Sequence, residues 1–142
     1  MRAGTENTPA IVGMGVALEL ASKEMVRHNE RIEELRAQLA SVLGEIPGLH
    51  INGDPDNRLP GILHATIDRA NTSLLLMQMD MAGVAVSGGS ACASGASVRS
   101  HVVSALGYRD ENQADIRFSI GVENTESDIN DAVAVLRRYL KR

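Results

Sequence analysis

The sequence has 142 residues, of which 14 are basic and 18 acidic, and its formal net charge is −4. This length fits one domain, and the acidic balance argues against nucleic acid or an anionic membrane surface as a partner. The single cysteine excludes an internal disulfide and a zinc site built from cysteine pairs, and we expect a cytoplasmic protein.

The first predicted element is a long helix. We expect Thr8 to cap it and Pro9 to occupy its first position. Residues 10–21 are nearly all apolar or small, which is typical of a helix that is buried on most sides. This apolar run is too short to span a bilayer, and no basic cluster precedes it as in a signal peptide. Residues 25–42 are amphipathic, so a helix continuous to Leu43 would be about 50 Å long.

The remaining predicted elements alternate between strands and helices. The strands are expected at 49–51, 62–68, 84–87 and 116–120, and the helices at 71–83, at 98–107 and from Thr125 onward. Thr125 with Asp128 three residues later is typical of a capping box. In the last strand, Ile116 and Phe118 should face one way and Arg117 the other. The pattern predicts an α/β fold, a small sheet with helices mainly on one face, preceded by the long helix.

The stretch "SGGSACASG" (87–95) contains Cys92, the only cysteine of the chain. A lone cysteine is most often a small buried hydrophobe. The neighbours of Cys92 are Ser, Gly and Ala, which bury little, and such a stretch resembles a mobile loop after a strand. From these residues alone, a buried thiol and a reactive thiol are equally acceptable interpretations.

Other thiol chemistries find little support around Cys92. A tyrosine-phosphatase loop needs an arginine six positions after the cysteine, and Val98 stands there. A thioredoxin-type site needs a second cysteine. A papain-like site needs a histidine base, for which the chain offers His28, His50, His64 and His101. His101 follows Cys92 by nine residues and could lie near it, although a position at the surface or the rim is the more typical one for each histidine.

Two further residues have both a structural and a functional interpretation. Arg117 is either an exposed strand arginine with a surface ion pair or a guanidinium that grips a carboxylate through two hydrogen bonds. Thr5, in "GTENT", either helps to cap the first helix or contacts a phosphate together with backbone N–H groups at the helix N-terminus.

Three stretches together resemble the cysteine desulfurases, pyridoxal-phosphate enzymes of the class V aminotransferase group. They are "RAGTENTPAIVGMGVALELA", "VAVSGGSACASGASVRSHVVSALG" and "IRFSIGVENTESDINDAVAVL", and they lie in register along nearly the whole chain. The pattern "SGSAC-S" followed by "SHV--ALG" and then by "RFS-G--NT--DI" is highly specific.

The resemblance implies removal of sulfur from L-cysteine, which leaves L-alanine. It implies that Cys92 is the nucleophile that carries the sulfur away as a persulfide, and that Arg117 clamps the substrate carboxylate. It also implies that Thr5 reaches the pyridoxal phosphate of the neighbouring subunit in a homodimer. The long Ser/Gly/Ala stretch resembles the corresponding loop of the subgroup that supplies sulfur to iron–sulfur scaffold proteins. The resemblance therefore implies such a scaffold, or another sulfur acceptor, as a partner.

The chain departs from the family because it resembles only the C-terminal part of these enzymes. Its two lysines, Lys23 and Lys141, lack the family's His-Lys context of the Schiff-base lysine. We therefore expect residues 1–24 to be an interdomain segment with the first half of the long helix, and 25–142 to be the C-terminal small domain. The isolated chain should bind no pyridoxal phosphate and be inactive. A stand-alone sulfur-relay or interaction module, and selenocysteine lyase chemistry, remain alternatives.

Overall fold

The computed structural model describes residues 3–88, 101–107 and 112–141. These ranges contain, in chain order, α1 (Thr8–Gly44), β1 (Leu49–Asn52), β2 (Ile62–Asp68), α2 (Thr72–Met81), α3 (His101–Ala105), β3 (Gln113–Ser119) and α4 (Glu126–Leu140). The three strands form one antiparallel sheet in the order β1-β2-β3.

Helix α1 is continuous over 37 residues, as predicted, and is about 55 Å long at 1.5 Å per residue. Its cap differs from the prediction: Asn7, not Thr8, accepts a hydrogen bond from the backbone N–H of Ala10 at 3.2 Å. Asparagine is the better cap, and Thr8 becomes the first helical residue. The expected boundary between residues 24 and 25 falls within this uninterrupted helix and stays a prediction.

The two halves of α1 have different surroundings. The buried residues of the helix begin at Leu35, whereas residues 10–21, expected to be buried on most sides, are all exposed in this chain. Among the described residues, no helix is both long enough and apolar enough to cross a membrane.

The main hydrophobic core lies between the sheet and three helices. Leu63, Ala65 and Ile67 of β2 alternate with polar residues, as do Ala114, Ile116 and Phe118 of β3, so each set points to one face. Both sets pack with Leu35, Leu39 and Leu43 of α1, Leu75 and Met79 of α2, and Ile129, Val133 and Leu136 of α4. This arrangement confirms the predicted fold class, a small sheet with helices on one face.

The segment 84–87 does not form the predicted strand. The backbone N–H of Val84 donates to the carbonyl of Met79 at 2.9 Å, so Val84 belongs to the turn that ends α2. Only Ser87 pairs with β3, as an isolated antiparallel bridge to Arg117. Strand β3 starts earlier than predicted, at Gln113, and ends at Ser119. Of the helix predicted over 98–107, the described residues contain the turn His101–Ala105, and residues 98–100 lie outside the described ranges.

The predicted capping box of α4 is present. Thr125 accepts from the backbone N–H of Asp128 at 3.3 Å, and the Asp128 carboxylate accepts from the backbone N–H of Thr125 at 2.8 Å. These two bonds hold the N-terminus of α4. The bond from the Thr125 N–H, followed by one from the Asn124 side chain, lowers the pKa of Asp128 and favours its charged form.

Candidate active site

The predicted site residues are Cys92, Arg117 and Thr5, and the two that the structure describes, Arg117 and Thr5, lie far apart. Cys92 lies outside the described residues. Thr5 is exposed, three residues before α1 begins. The buried part of α1 starts at Leu35, about 40 Å along the helix from Thr8, so Thr5 is remote from the sheet that carries Arg117.

Arg117 lies on β3 with its side chain exposed, between the buried residues Ile116 and Phe118. At Arg117 the strand has a neighbour on both edges. On one side it is the register partner of His64 in β2. On the other, its N–H donates to the Ser87 carbonyl at 2.6 Å and its carbonyl accepts from the Ser87 N–H at 3.2 Å. The position of Arg117 is therefore fixed at the point where the chain enters the cysteine segment.

Gly88 is required by close packing. A Cβ at this position would lie 2.6 Å from Cγ2 of Thr72, 2.9 Å from Cδ1 of Leu76 and 3.0 Å from the carbonyl oxygen of Asp115. No side chain fits there without displacing backbone or a packed methyl group. The sequence pattern indicates flexibility at the glycines before Cys92 and contains no local signal of this steric requirement at Gly88.

The face of the sheet opposite the core carries a connected set of polar side chains. The amide nitrogen of Asn52 lies 2.7 Å from Nδ1 of His64 and 2.7 Å from Oγ1 of Thr66. The Thr66 hydroxyl donates to Oδ1 of Asp115 at 3.0 Å. Asn52, Thr66 and Asp115 are buried, with exposed fractions of 8%, 0% and 3%. The set crosses all three strands and ends next to Arg117.

The surroundings of His64 favour its neutral form. Burial lowers the pKa of His64 below its ordinary value of 6.5, and the positive charge of Arg117 lowers it further, while the carboxylate of Asp115 acts in the opposite direction. A neutral imidazole has one donor and one acceptor nitrogen, so its hydrogen-bond partners determine what it presents to a ligand.

The sequence offers His64 only as one of four candidate bases and has no local signal for Asn52, Thr66 or Asp115. The alternation within β2 placed His64 and Thr66 on the face away from the core. The pairing of this strand with both neighbours, which creates the polar set, depends on register between distant segments.

Among the described residues, neither lysine is placed as a Schiff-base lysine for pyridoxal phosphate would be. Lys23 lies on the exposed half of α1, where its amine is bound to the carboxylate of Glu19 at 2.6 Å. Lys141 follows α4 and is exposed. Thr5 offers one hydroxyl at an exposed position. Neither lysine is enclosed as a Schiff-base amine must be to lose its charge. Within the described ranges, no group of three or more acidic, histidine or cysteine side chains could hold a metal ion.

Comparison with known proteins finds relatives along the whole chain. It is 39% identical to "Cysteine desulfurase IscS" of Dictyoglomus turgidum, over 99% of this chain and 36% of that protein. It is 37% identical to "Putative cysteine desulfurase IscS 1" of Bacillus subtilis, over 99% of this chain and 38% of that protein. The chain thus spans little more than a third of the length of these relatives.

Solved structures agree with these relatives. The NifS-like protein of Rickettsia africae superposes with a TM-score of 0.84 at 27% identity, covering 99% of this chain and 37% of that structure. A second NifS-like protein superposes with a TM-score of 0.80 at 30% identity, covering 99% and 35%. These matches confirm the predicted resemblance to the cysteine desulfurases. The family model described as "Aminotransferase class-V" matches residues 1–131, and the chain therefore belongs to the aminotransferase class-V family.

Proposed function

We propose that this chain is the C-terminal part of a pyridoxal-phosphate-dependent cysteine desulfurase. The observation that carries the proposal is the match of 99% of the chain to proteins named cysteine desulfurase, of which it covers 36–38%. The Schiff-base lysine and the cofactor site belong, in this proposal, to the part of the native polypeptide outside these residues.

In the proposed reaction, Cys92 is the nucleophile. Its thiolate attacks the sulfur of L-cysteine, an S–S bond forms as the C–S bond breaks, and the carbon fragment gains a proton and leaves as L-alanine. Support comes from the connection of Cys92 to Arg117. Ser87, which is bridged to Arg117, is the fifth residue before Cys92. Five residues of chain span at most about 18 Å, a length that allows the thiol to reach the arginine.

Arg117 is proposed to bind the carboxylate of L-cysteine. A guanidinium presents a planar pair of N–H groups that matches a carboxylate, and its charge does not depend on pH in the physiological range. Three features suit the role: Arg117 is exposed, its backbone N–H and carbonyl are both bonded to Ser87, and the buried residues on either side of it hold β3 in place.

The exposed apolar half of α1 is proposed to pack against the rest of the native polypeptide. Its exposed large hydrophobic residues are Ile11, Val12, Met14, Val16, Leu18 and Leu20, with exposed fractions between 51% and 63%. Such a continuous apolar surface is typical of an interface rather than of a solvent-exposed helix. We propose that Thr5, just before this segment, contacts the cofactor phosphate of a second subunit in a homodimer.

The sulfur acceptor is proposed to be an iron–sulfur scaffold or another sulfur-carrier protein in the cytoplasm. The first experiment is the intact mass of the native protein, detected with an antibody against this chain. A species with a mass that corresponds to the full length of the relatives supports the proposed enzyme. A species near the mass of this chain alone, 15.2 kDa, favours a stand-alone relay module.

The activity test uses the native polypeptide with pyridoxal phosphate and L-cysteine. We expect L-alanine in the supernatant and a mass gain of one sulfur atom on the peptide that contains Cys92. Cys92→Ser should abolish both, whereas the 142-residue chain should produce neither. A wild-type native polypeptide that forms no L-alanine would overturn the proposal. Parallel rates with L-selenocysteine distinguish the lyase alternative.

A further inference from the structure

The polar set behind the sheet has a fixed direction of hydrogen bonding, and this direction starts at Asp115. Oδ1 of Asp115 accepts a hydrogen bond from the Thr66 hydroxyl. The bond of 3.0 Å between Thr66 and Asp115 must therefore use the hydroxyl proton of Thr66. Thr66 has one such proton, so its oxygen can only accept in its second contact, which is with Asn52.

Asn52 must then donate to Thr66 through its amide nitrogen, at 2.7 Å. The same nitrogen lies 2.7 Å from Nδ1 of His64. Its second proton points to that atom, so Nδ1 of His64 is an acceptor. In this orientation, the amide oxygen of Asn52 is buried without a hydrogen-bond partner among the described residues. The flipped amide of Asn52 is less favourable, because its oxygen would then face the oxygen of Thr66, whose only hydroxyl proton is bonded to Asp115.

With Nδ1 accepting, the single proton of the neutral His64 ring is on Nε2. The chain of contacts Asp115–Thr66–Asn52 thus selects one tautomer of His64. The second ring nitrogen becomes a hydrogen-bond donor, and no protein group described here uses it.

The residue that carries this donor is the cross-strand neighbour of Arg117. His64 and Arg117 are directly opposite each other in the antiparallel pair of β2 and β3, so their side chains leave the same face, with Cβ atoms about 5 Å apart. Two donors cannot bond to one another, whereas a ligand with two acceptor oxygens can bridge them. A carboxylate is such a ligand and also complements the charge of Arg117.

We infer that His64 is a second substrate-binding residue, whose Nε2–H donates to the carboxylate that Arg117 holds. This inference rests on the proposed function of Arg117 and extends it. The polar set then has a role in recognition: it keeps His64 in the tautomer that binds an acidic substrate group and prevents Nδ1 from doing so.

The test compares three variants of the native polypeptide. His64→Asn keeps an acceptor oxygen for Asn52 and removes the donor at the Nε2 position. His64→Gln has an amide N–H that reaches that position. His50→Asn makes the same change on the neighbouring strand and the same face, away from Arg117, and is the control.

We expect His64→Asn to raise KM for L-cysteine and Kd for L-alanine about tenfold, the usual effect of one hydrogen bond to a charged group, with kcat little changed. His64→Gln should stay within about threefold of the wild type, and His50→Asn should be unchanged. L-alanine is the binding probe because it has the α-carboxylate and no sulfur to transfer. The 15N shifts of the wild-type His64 ring should show a proton on Nε2 at neutral pH.

A proton on Nδ1, unchanged L-alanine binding by His64→Asn, or no L-alanine binding by the wild type would each overturn the inference. These binding results are distinguishable from a failure of the proposed desulfurase reaction. If the wild type binds L-alanine through His64 but forms none from L-cysteine, the desulfurase reaction is rejected and the carboxylate site stands.

Discussion

The phenol oxygen of Tyr139 makes two hydrogen bonds to the backbone of Asn71, accepting from its N–H and donating to its carbonyl, each at 3.3 Å. Asn71 is also the N-cap of α2, where its side chain accepts from the N–H of Leu74 at 3.0 Å. The last turn of α4 is thereby joined to the first turn of α2, although 68 residues separate the two in sequence.

Tyr139→Phe removes both bonds and keeps the ring. We expect the free energy of unfolding to fall by about 1 kcal/mol, because a net hydrogen bond contributes little more than that and this one is close to solvent. Urea denaturation of the 142-residue chain measures the change. Arg138→Gln, on the exposed side of the same turn, should stay within about 0.5 kcal/mol of the wild type. Equal stability of Tyr139→Phe and wild type would show that the two bonds only replace bonds to water.

Thr125→Ala tests the capping box of α4. The substitution removes the acceptor of the Asp128 N–H and should lower the free energy of unfolding by about 1 kcal/mol, measured by urea denaturation.

Asp128→Asn tests the same capping box through the pH dependence of stability. Hydrogen bonds lower the pKa of Asp128 below its ordinary value of 3.8, so its stabilisation is complete above that pH and is lost as pH falls through the folded-state pKa. The variant should lose this part of the acid dependence. A variant with an unchanged acid profile would contradict the capping role.

Local sequence signals predicted the elements whose ends are held by neighbouring residues. Thr125 and Asp128 are three residues apart, and the alternation of β3 correctly placed Arg117 on the face opposite Ile116. The cap of α1 was wrong by one residue because Asn7 and Thr8 are both good caps and only the folded backbone selects between them.

The polar set was not predictable because it is formed by register. Asn52 meets Thr66 across 14 residues of sequence, and Thr66 meets Asp115 across 49. No local pattern specifies which residues of β1 and β3 stand opposite a given residue of β2. The steric requirement at Gly88 is of the same kind, since it depends on Leu76 and on the carbonyl of Asp115.

Thr66→Val tests the polar set through stability. Valine has nearly the volume of threonine but cannot donate to Asp115 or accept from Asn52, and the loss leaves buried polar groups without partners. We expect a destabilisation of about 1–3 kcal/mol. Thr8→Val, at an exposed position, should change stability by less than about 0.5 kcal/mol. If the two substitutions have equal effects, the buried contacts of Thr66 add nothing to folding.

His64 should give stability a distinct pH dependence. Its pKa is lowered in the folded protein, so the unfolded chain binds the proton first as pH falls below 6.5. The free energy of unfolding therefore has its full value above pH 6.5, decreases as pH falls, and becomes constant below the folded-state pKa of His64. His64→Asn should remove this decrease. Denaturation curves between pH 7.5 and pH 5.5 measure it, above the range of the carboxyl groups, whose ordinary pKa values are 3.8 for aspartate and 4.5 for Glu24. A profile unchanged by His64→Asn would mean that the ring titrates normally in the folded state.

Amide hydrogen exchange should divide α1 into two parts in the 142-residue chain. Residues 10–20 have no buried contacts, and a helix without tertiary packing is marginal in water, so their amides should exchange nearly as fast as in an unfolded peptide. Residues 35–43 contain the buried positions Leu35, Leu39 and Leu43 and should exchange as slowly as the sheet. In the native polypeptide, the slow region should extend toward Thr8, because the proposed partner surface covers the apolar half. Equal protection of both parts in the dilute, monomeric chain would contradict that proposal, since the first half would then be stable without a covering surface.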